Sequence, residues 1–178
     1  DMGSAFTFTR CQAEEGAENG IYIYESERDA LFEGDLKIVC DGDTLVPILS
    51  IGIEDYLCGV VGYEMSDSFP LEALKAQAVA ARTYAMSRKA ARTGSAYDVV
   101  DTAGDQVFKG LIADYTNVIA AVEATSGVVG VYNGTYASCY YTASNGGQVA
   151  TPGQIWGGSG DYGYIEQKDD PYDLENPR

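Results

Sequence analysis

The chain has 178 residues, of which 46% are hydrophobic and 21% are charged. This length and balance fit one globular domain with a real core and exclude an intrinsically disordered chain. Eleven lysines and arginines stand against 27 aspartates and glutamates, for a formal net charge of −16, which disfavours a sequence-blind nucleic-acid binder or a protein held to anionic lipid by charge.

The first fifty residues are predicted to form strands after a leading tail. Asp1-Met2-Gly3-Ser4 is typical of an expression scar, and the Glu/Ala/Gly-rich segment behind it has no period, so we expect residues 1–18 to be a flexible tail. β-forming residues then concentrate in three segments, and the turn signal Asp41-Gly42-Asp43 separates the last two. The segments expected to form a small antiparallel sheet are 21–24, 36–40 and 44–50.

The most informative helix pattern lies over residues 54–65. Leu57, Val60, Val61 and Glu64 recur at i, i+3, i+4 and i+7, so a helix would place Glu64 on its apolar stripe. Loss of hydration there and the negative end of the helix dipole would both raise the pKa of Glu64, which makes this carboxyl a candidate proton donor. The alternative is that Glu64 ends the helix and points to water, as glutamates usually do.

The clearest helix is predicted from Pro70 to about residue 92. Pro70 suits the first helical position, and an apolar stripe follows it at three- and four-residue steps. Eight alanines in this helix leave little bulk, so neighbouring backbone can pack close against it. Lys75, Arg82 and Lys89 share one side, which is either a solvated face or the lining of an acidic cleft.

Shorter patterns follow in the second half of the chain. A strand is expected at 97–100 and a third helix at 115–127. Asn133-Gly134, between strand-like segments at 128–132 and 135–141, is the strongest hairpin signal in the chain. Beyond it come polar loops rich in serine, asparagine and glycine, a composition that serves a binding rim as readily as plain turns.

Together these patterns predict an α+β fold. We expect small antiparallel sheets and a C-terminal β-hairpin, packed around the central Ala-rich helix and two further helices. Residues 19–168 are expected to form a single domain. The polar segment 169–178 contains proline and has no period, so it is expected to be a tail without regular structure.

The cysteines do not form a metal-binding pattern, and the chain lacks histidine. Cys11, Cys40, Cys58 and Cys139 show no Cys-x-x-Cys spacing, so we expect no metal ion and assign no cofactor. In an oxidising compartment these four could pair in three ways, whereas reduced cysteine is an ordinary small apolar core residue. Both states stay open. No segment approaches the roughly 18 consecutive apolar residues of a membrane span.

The available side chains favour carboxylate chemistry. Without histidine, a Ser-His-Asp or Cys-His nucleophile is impossible, and the glycine-rich phosphate loops are missing as well. Hydrolytic glycosidases pair two carboxylates; beside Glu64, only Asp101 and Asp105 could supply the second, although a turn or capping role is more common for them. One carboxylate suffices if a hydroxyl of the substrate is the nucleophile, and this is the reaction of a lytic transglycosylase.

Two long blocks of the sequence carry a family resemblance. They are Tyr-Leu-Cys-Gly-Val-Val-Gly-Tyr-Glu-Met at 56–65 and Pro-Leu-Glu-Ala-Leu-Lys-Ala-Gln-Ala-Val-Ala-Ala-Arg-Thr-Tyr-Ala at 70–85. Both closely resemble the stage II sporulation protein D family, whose members are also called amidase enhancers. Shorter similarities extend the match over about residues 45–158. They lie at 101–102, 106–110, 124–129, 140–141, 146–147 and 156.

The resemblance implies a bacterial protein that faces the cell wall outside the membrane, secreted or anchored in its full-length form. It also implies a lytic transglycosylase that cleaves peptidoglycan glycan strands between N-acetylmuramic acid (MurNAc) and N-acetylglucosamine (GlcNAc), preferably where stem peptides are few. Glu64 matches the family's catalytic glutamate. It would protonate the bridging oxygen and then accept the proton of the muramic acid C6 hydroxyl, which leaves a 1,6-anhydro end.

Six further residues in the matching blocks are candidates for binding sugar or orienting the glutamate. They are Lys75, Arg82, Gln106, Tyr141, Ser144 and Gly146. A direct contact between Arg82 and Glu64 would lower the glutamate pKa and argue against its acid role. Some family members carry a zinc site built from cysteine and histidine, which this chain cannot reproduce. Family members often continue further, so the C-terminal tail is expected to be truncated.

Two other functions fit the same resemblance. The main alternative is a non-catalytic wall-binding protein that stimulates an N-acetylmuramoyl-L-alanine amidase, as the family's second name suggests. A structural module of a larger surface assembly is the third. The expected partners are peptidoglycan glycan strands and, in the main alternative, a cell-wall amidase; nucleic acid is not expected. Only the transglycosylase predicts turnover of purified glycan.

Overall fold

The computed structural model describes residues 4–10, 20–25, 28–157, 160 and 162–175. Five strands occupy the N-terminal part of these ranges. They are β1 (Ala5–Phe8), β2 (Ile21–Glu25), β3 (Arg28–Phe32), β4 (Asp35–Asp41) and β5 (Thr44–Ser50). One antiparallel sheet has the order β1-β4-β5, and β2 pairs with β3 separately. The three predicted strands are confirmed, but they belong to two sheets rather than one.

Part of the expected N-terminal tail is a strand. β1 pairs with β4 along its whole length, and the rings of Phe6 and Phe8 meet edge to face with centroids 5.2 Å apart. The tail prediction therefore does not hold for 5–8, where two phenylalanines favour a pleated strand once a partner is present. Residues 1–3 and 11–18 of the same predicted tail lie outside the described residues.

Three helices form the core of the molecule. They are α1 (Ile53–Glu64), α2 (Leu71–Ala91) and α3 (Thr116–Ala124). α2 contacts both of the others, as predicted for a central helix, and Pro70 caps it instead of occupying its first position. The apolar stripes meet in one cluster, whose burial removes a large apolar area from water. Its fully buried members include Leu57, Val60, Val61, Leu74, Ala78, Ala81, Val118 and Val122.

A glycine lets the segment before α3 lie directly against α1. A Cβ atom at Gly59 would come within 2.5 Å of the Phe108 ring and 2.8 Å of the Gly110 carbonyl oxygen. Real Cβ atoms do not approach so closely, so this crossing requires glycine. The close approach fixes the segment around residue 108 on the surface of α1 and thereby positions Gln106.

The elements after α3 are short. They are β6 (Val131–Tyr132), β7 (Thr135–Tyr136), β8 (Gln148–Val149), α4 (Pro152–Trp156), β9 (Lys168–Asp169) and α5 (Pro171–Glu175). The hairpin is confirmed: β6 pairs with β7 around Asn133 and Gly134, whose φ angles of 49° and 77° are those of a type I′ turn. β7 contacts α2, so the hairpin packs against the central helix.

Two predictions of local structure are wrong. Residues 97–100 form no regular strand, because the Val100 N–H donates to the Asp105 carboxylate at 2.9 Å instead of to a neighbouring strand. The prediction of an irregular tail at 169–178 fails for its described part, where Asp169 completes β9 and Pro171–Glu175 form α5; residues 176–178 lie outside the described residues. Hydrogen bonds from the 144–147 loop to Asp170 and Asp173 hold this segment in place.

The α+β prediction is confirmed, with five helices and several small antiparallel sheets within the described ranges. No helix in those ranges is long and apolar enough to cross a membrane. The domain limits at residues 19 and 168 stay a prediction.

Candidate active site

Glu64 is the last residue of α1, and its side chain lies at the surface. The buried residues of α1 end at Gly62, whereas Glu64 is exposed. The prediction that Glu64 lies on the buried apolar stripe is therefore wrong, because α1 is exposed over its last two residues, Tyr63 and Glu64, and the chain continues in extended conformation at Met65. The alternative, a glutamate that ends the helix at the surface, is the one observed. Partial loss of hydration still raises the pKa of Glu64 above its ordinary value.

Tyr141 lies within electrostatic range of Glu64. Burial raises the pKa of the Tyr141 hydroxyl, a hydrogen bond with Gln106 opposes that rise, and the charge of Glu64 adds to it. Two predicted site residues that are far apart in sequence thus come within range of a charge interaction in the fold.

Gln106 connects Tyr141 to the helical core. Its side chain is 2% exposed, and its Nε2 donates to the Tyr141 hydroxyl at 3.4 Å and to the Ala81 carbonyl of α2 at 3.3 Å. Its Oε1 accepts a hydrogen bond from the Tyr56 hydroxyl of α1 at 3.3 Å. Gln106 is therefore too deeply buried to hold sugar itself, and it instead fixes Tyr141 relative to both helices.

Arg82 is a core residue rather than part of an open site. It is 1% exposed, and its guanidinium binds Glu54 with Nη2–Oε2 at 2.6 Å and Nε–Oε1 at 3.1 Å. It also donates to the carbonyls of Val122 and Val128, each at 3.2 Å. Burial opposes ionisation of Glu54, but hydrogen bonds from Arg82 and Gly127 hold its pKa below the ordinary value. The pairing with Glu54 removes the concern that Arg82 neutralises Glu64, and it contradicts a sugar-binding position for Arg82.

The three cations that were predicted to share one side of α2 do not line a common cleft. Lys75 pairs with Glu72 of its own helix at 2.7 Å. Lys89 faces Asp98 at 3.7 Å, while Arg82 is buried. The side chains of Lys75 and Lys89 are 28% and 63% exposed, so a ligand could reach either ammonium, and Lys75 lies near the start of α2.

Asp105 is not a second catalytic acid. Its side chain has no exposed surface and binds Arg88 Nε at 2.8 Å and Arg92 Nη1 at 2.6 Å. Burial would raise the pKa of Asp105, but hydrogen bonds from Val100 and Arg92 and the charges of both arginines hold it below the ordinary value. This carboxylate anchors the segment after α2, a role that sequence reasoning could not separate from a turn or cap.

Ser144 and Gly146 lie in one exposed loop, which follows Tyr141 in the sequence. The Ser144 hydroxyl and the Gly146 N–H each donate to Asp173 Oδ2 at 2.7 Å. The two predicted residues are therefore held together by a carboxylate of α5 that sequence reasoning did not single out. Nothing in the sequence pattern signals this contact, because Asp173 lies in a segment without a period.

A cluster of aromatic rings surrounds Tyr140, the residue before Tyr141 in the sequence. Tyr140 is 49% exposed and Trp156 62% exposed, and their ring centroids are 4.7 Å apart. Tyr162 meets Tyr140 at 6.3 Å. Tyr140 and Trp156 fall in the family-like blocks of the sequence, but their contact required the fold to be known. Large exposed aromatic surfaces of this kind serve as binding surfaces.

Cys40, Cys58 and Cys139 are free thiols, and Cys11 lies outside the described residues. Burial raises the pKa of the Cys58 thiol to about 12, which makes it an unreactive core residue. No cluster of three or more potential metal-ligating His, Cys, Asp or Glu side chains occurs in the ranges the structure describes.

The sequence matches the family described as SpoIID, stage II sporulation protein, over residues 41–132. Because this match covers more than half of the 178 residues, the chain belongs to the SpoIID family. The matched region contains Glu64, Lys75, Arg82 and Gln106 and ends before Tyr141.

Several proteins are similar to this chain. The amidase enhancer of Bacillus subtilis is 43% identical over 113 residues, which cover 64% of this chain and 15% of that protein. The stage II sporulation protein D of Bacillus subtilis is 28% identical over 144 residues, or 72% of this chain and 41% of that protein. A protein of Brachyspira hyodysenteriae is 36% identical over 140 residues, or 78% and 36%. The chain thus spans less than half the length of each of these relatives.

Proposed function

We propose that this SpoIID domain is a lytic transglycosylase that cleaves the MurNAc–GlcNAc bond of peptidoglycan glycan strands and faces the cell wall. The observation that carries the proposal is the position of Glu64 at the end of α1: its carboxyl is solvent-accessible, has a raised pKa and lies within electrostatic range of Tyr141. A polymer can reach such a carboxyl from outside. No narrow pocket is needed, because the glycan strand itself covers the acid when it binds.

The reaction needs only one carboxyl group. Glu64 gives its proton to the bridging oxygen as the bond from that oxygen to C1 of MurNAc breaks, so GlcNAc leaves with a hydroxyl group. The C6 oxygen of the same MurNAc then bonds to C1, and its proton passes to the Glu64 carboxylate. The glutamate is restored in its acid form, a 1,6-anhydro end is produced, and water is not consumed.

Tyr141 and Gln106 support this acid. The Tyr141 hydroxyl is held by Gln106, which is anchored to α1 and α2. This arrangement keeps the hydroxyl at a fixed place beside Glu64, where it can contact the reacting sugar without reorganising. Tyr141 therefore enters the proposal as a substrate contact and Gln106 as the residue that positions it.

The surface around Tyr141 offers further contacts to a glycan strand. The exposed rings of Tyr140 and Trp156 present apolar faces of the kind that pack against sugar rings. Ser144 and Gly146 lie in the loop that follows Tyr141 in the sequence, and Lys75 is a partly exposed cation of α2. Arg82 is left out of this set because it is buried against Glu54.

A second candidate function has its own support. The similarity to a protein named amidase enhancer favours a domain that binds the wall and stimulates an N-acetylmuramoyl-L-alanine amidase without cleaving glycan. In that case the aromatic surface would be used and Glu64 would not.

Product analysis in water labelled with heavy oxygen separates the candidates. Denuded glycan strands are incubated with the domain, and the new ends are examined by mass spectrometry. The proposal predicts anhydro ends without label, whereas hydrolysis would give reducing ends heavier by one labelled water. Sedimentation with peptidoglycan, stimulation of an amidase and no new ends would instead establish the second candidate.

A further inference from the structure

Four hydrogen-bond donors of one loop converge on a single carboxylate oxygen. Asp173 Oδ2 accepts from the Ser144 hydroxyl at 2.7 Å, and from the backbone N–H groups of Asn145 at 3.1 Å, Gly146 at 2.7 Å and Gly147 at 3.2 Å. Successive N–H groups that point to one centre form an anion-binding concavity, or nest. In this protein the anion is supplied by the chain itself.

The backbone of the loop is shaped for this contact. Gly146 and Gly147 have φ angles of 71° and 91°, in the region that favours glycine. A Cβ atom at Gly147 would also lie 2.6 Å from the side chain of Leu174. The close fit between the loop and α5 therefore depends on the missing side chain at Gly147, whereas at Gly146 only the φ angle favours glycine.

The segment that carries Asp173 is held mainly by polar contacts to the same loop. None of the residues of α5 is buried, and Leu174 is 64% exposed. Asp170 adds two bonds, one from the Asn145 amide to its carboxylate at 2.9 Å and one from its own N–H to the Gly147 carbonyl at 2.8 Å. Charge-assisted bonds to Asp173 are the strongest of these contacts.

The state of the Ser144 hydroxyl follows from this network. Its proton is donated to Asp173, and the Gly146 N–H approaches its oxygen at 3.3 Å. The hydroxyl can therefore offer a ligand only an acceptor lone pair. A sugar hydroxyl or an acetamido N–H would satisfy it.

We infer that Asp173 is a positioning residue of the glycan site, which holds the 144–147 loop in shape and commits Ser144 to accepting a hydrogen bond from an N-acetyl sugar. The inference rests on the proposed function for the identity of the ligand. The part of the inference that Asp173 orders the 144–147 loop rests on the hydrogen bonds alone and does not depend on the ligand. The pKa of Asp173 is held below its ordinary value by the Ser144 hydroxyl and the three backbone N–H groups, so the carboxylate is charged at neutral pH.

Two variants and a matched control test the inference. Asp173→Ala removes the acceptor, and Asp173→Asn keeps an oxygen but removes the charge. Glu175→Gln is the control, because Glu175 is an exposed acid of the same helix and is not one of the loop's described partners. Amide hydrogen exchange at 145–147 reports loop order, and sedimentation with denuded glycan strands reports binding.

In Asp173→Ala we expect exchange at 145–147 to rise about tenfold, and the Kd for glycan to rise by a similar factor. Asp173→Asn should fall between Asp173→Ala and the unaltered chain, and Glu175→Gln should match the unaltered chain. Exchange within α2 serves as the folding check, and Asp173→Asn decides the result if Asp173→Ala unfolds.

Unchanged exchange at 145–147 in both Asp173 variants would overturn the inference, as would faster exchange with unchanged glycan binding. In an assay of turnover by the Asp173 variants, KM should rise. The pH at which kcat begins to fall, which Glu64 sets, should stay the same, because Asp173 does not touch Glu64. If the unaltered chain binds glycan but makes no anhydro ends, the proposed reaction fails while the loop test still gives an answer.

Discussion

Glu64 combines two properties that usually exclude each other. It is exposed, yet loss of hydration raises its pKa. Both follow from its place as the last residue of α1, where part of the carboxyl is shielded by the protein while the rest faces water. A bound strand would remove that remaining water and raise the pKa further, so the acid would be prepared by its own substrate.

The first residue-scale prediction concerns pH. The glutamate must be protonated to start the reaction, so kcat/KM should fall about tenfold per pH unit above the folded pKa of Glu64. Since that pKa is raised, the fall should begin above the value of about 4.3 for an ordinary glutamate. A pH–rate profile on denuded glycan measures it, and a profile that already declines below this value would contradict the assignment.

The second residue-scale prediction concerns Tyr141. Tyr141→Phe removes the hydroxyl that lies near Glu64 and accepts from Gln106, and kcat should fall about tenfold. The amide of Gln106 retains its bond to Ala81, so the melting temperature should change little. Tyr97→Phe is the matched control, since Tyr97 is an exposed tyrosine outside the proposed glycan surface, and it should keep kcat. Equal kcat in both variants would remove Tyr141 from the site.

At the scale of elements, the contact between α1 and the segment before α3 determines where Gln106 lies. Gly59→Ala would force a Cβ to within 2.5 Å of Phe108, an overpacking cost of about 1–3 kcal/mol that exceeds the gain of about 1 kcal/mol in helix propensity. In Gly62→Ala the atom nearest to the new Cβ would be a Tyr115 ring carbon at 3.2 Å, so the overpacking cost and the gain in helix propensity nearly cancel. Urea unfolding should therefore show Gly59→Ala as the less stable variant, and the reverse order would show that the crossing is not tight.

A second element-scale prediction concerns the buried Asp105 anchor. Asp105→Asn weakens its bonds to Arg88 and Arg92 and should cost about 2–3 kcal/mol of unfolding free energy at neutral pH. Because the folded pKa of Asp105 is lowered, this stability is present above its unfolded pKa of about 3.9 and is lost as pH falls through the folded value.

The difference between Asp105→Asn and the unaltered chain should therefore shrink in acid. Urea unfolding at several pH values measures it, with Asp101→Asn, an exposed neighbour, as the control. A difference that is the same at neutral and acid pH, or an equal loss in the control, would show that the Asp105 charge does not stabilise the fold.

Over the whole molecule, elements defined by local patterns could be predicted from the sequence, whereas long-range contacts could not. α1, α2 and the Asn133-Gly134 hairpin follow from periodicity and turn chemistry, because those signals lie within a few neighbouring residues. The pairing of β1 with β4 and the ordering of α5 could not be predicted in this way, since each depends on a partner distant in the chain.

The site shows the same division. Glu64 was identified from its sequence block and helix position, but its exposure depends on where α1 stops being covered. Arg82 was expected at the sugar and instead pairs with Glu54, which no spacing rule reveals. The bond from Gln106 to Tyr141 and the contacts of Asp173 join segments that only the fold brings together.

The proposed reaction depends on Glu64 being the single acid, and Glu64→Gln tests this role most directly. Its matched control is Glu123→Gln, an exposed glutamate near the end of α3. Release of anhydro ends from denuded strands should fall about a thousandfold in Glu64→Gln and stay at the unaltered rate in Glu123→Gln, with glycan binding retained in both. If Glu64→Gln releases anhydro ends at a rate within tenfold of the unaltered chain, Glu64 is not the single acid of the reaction.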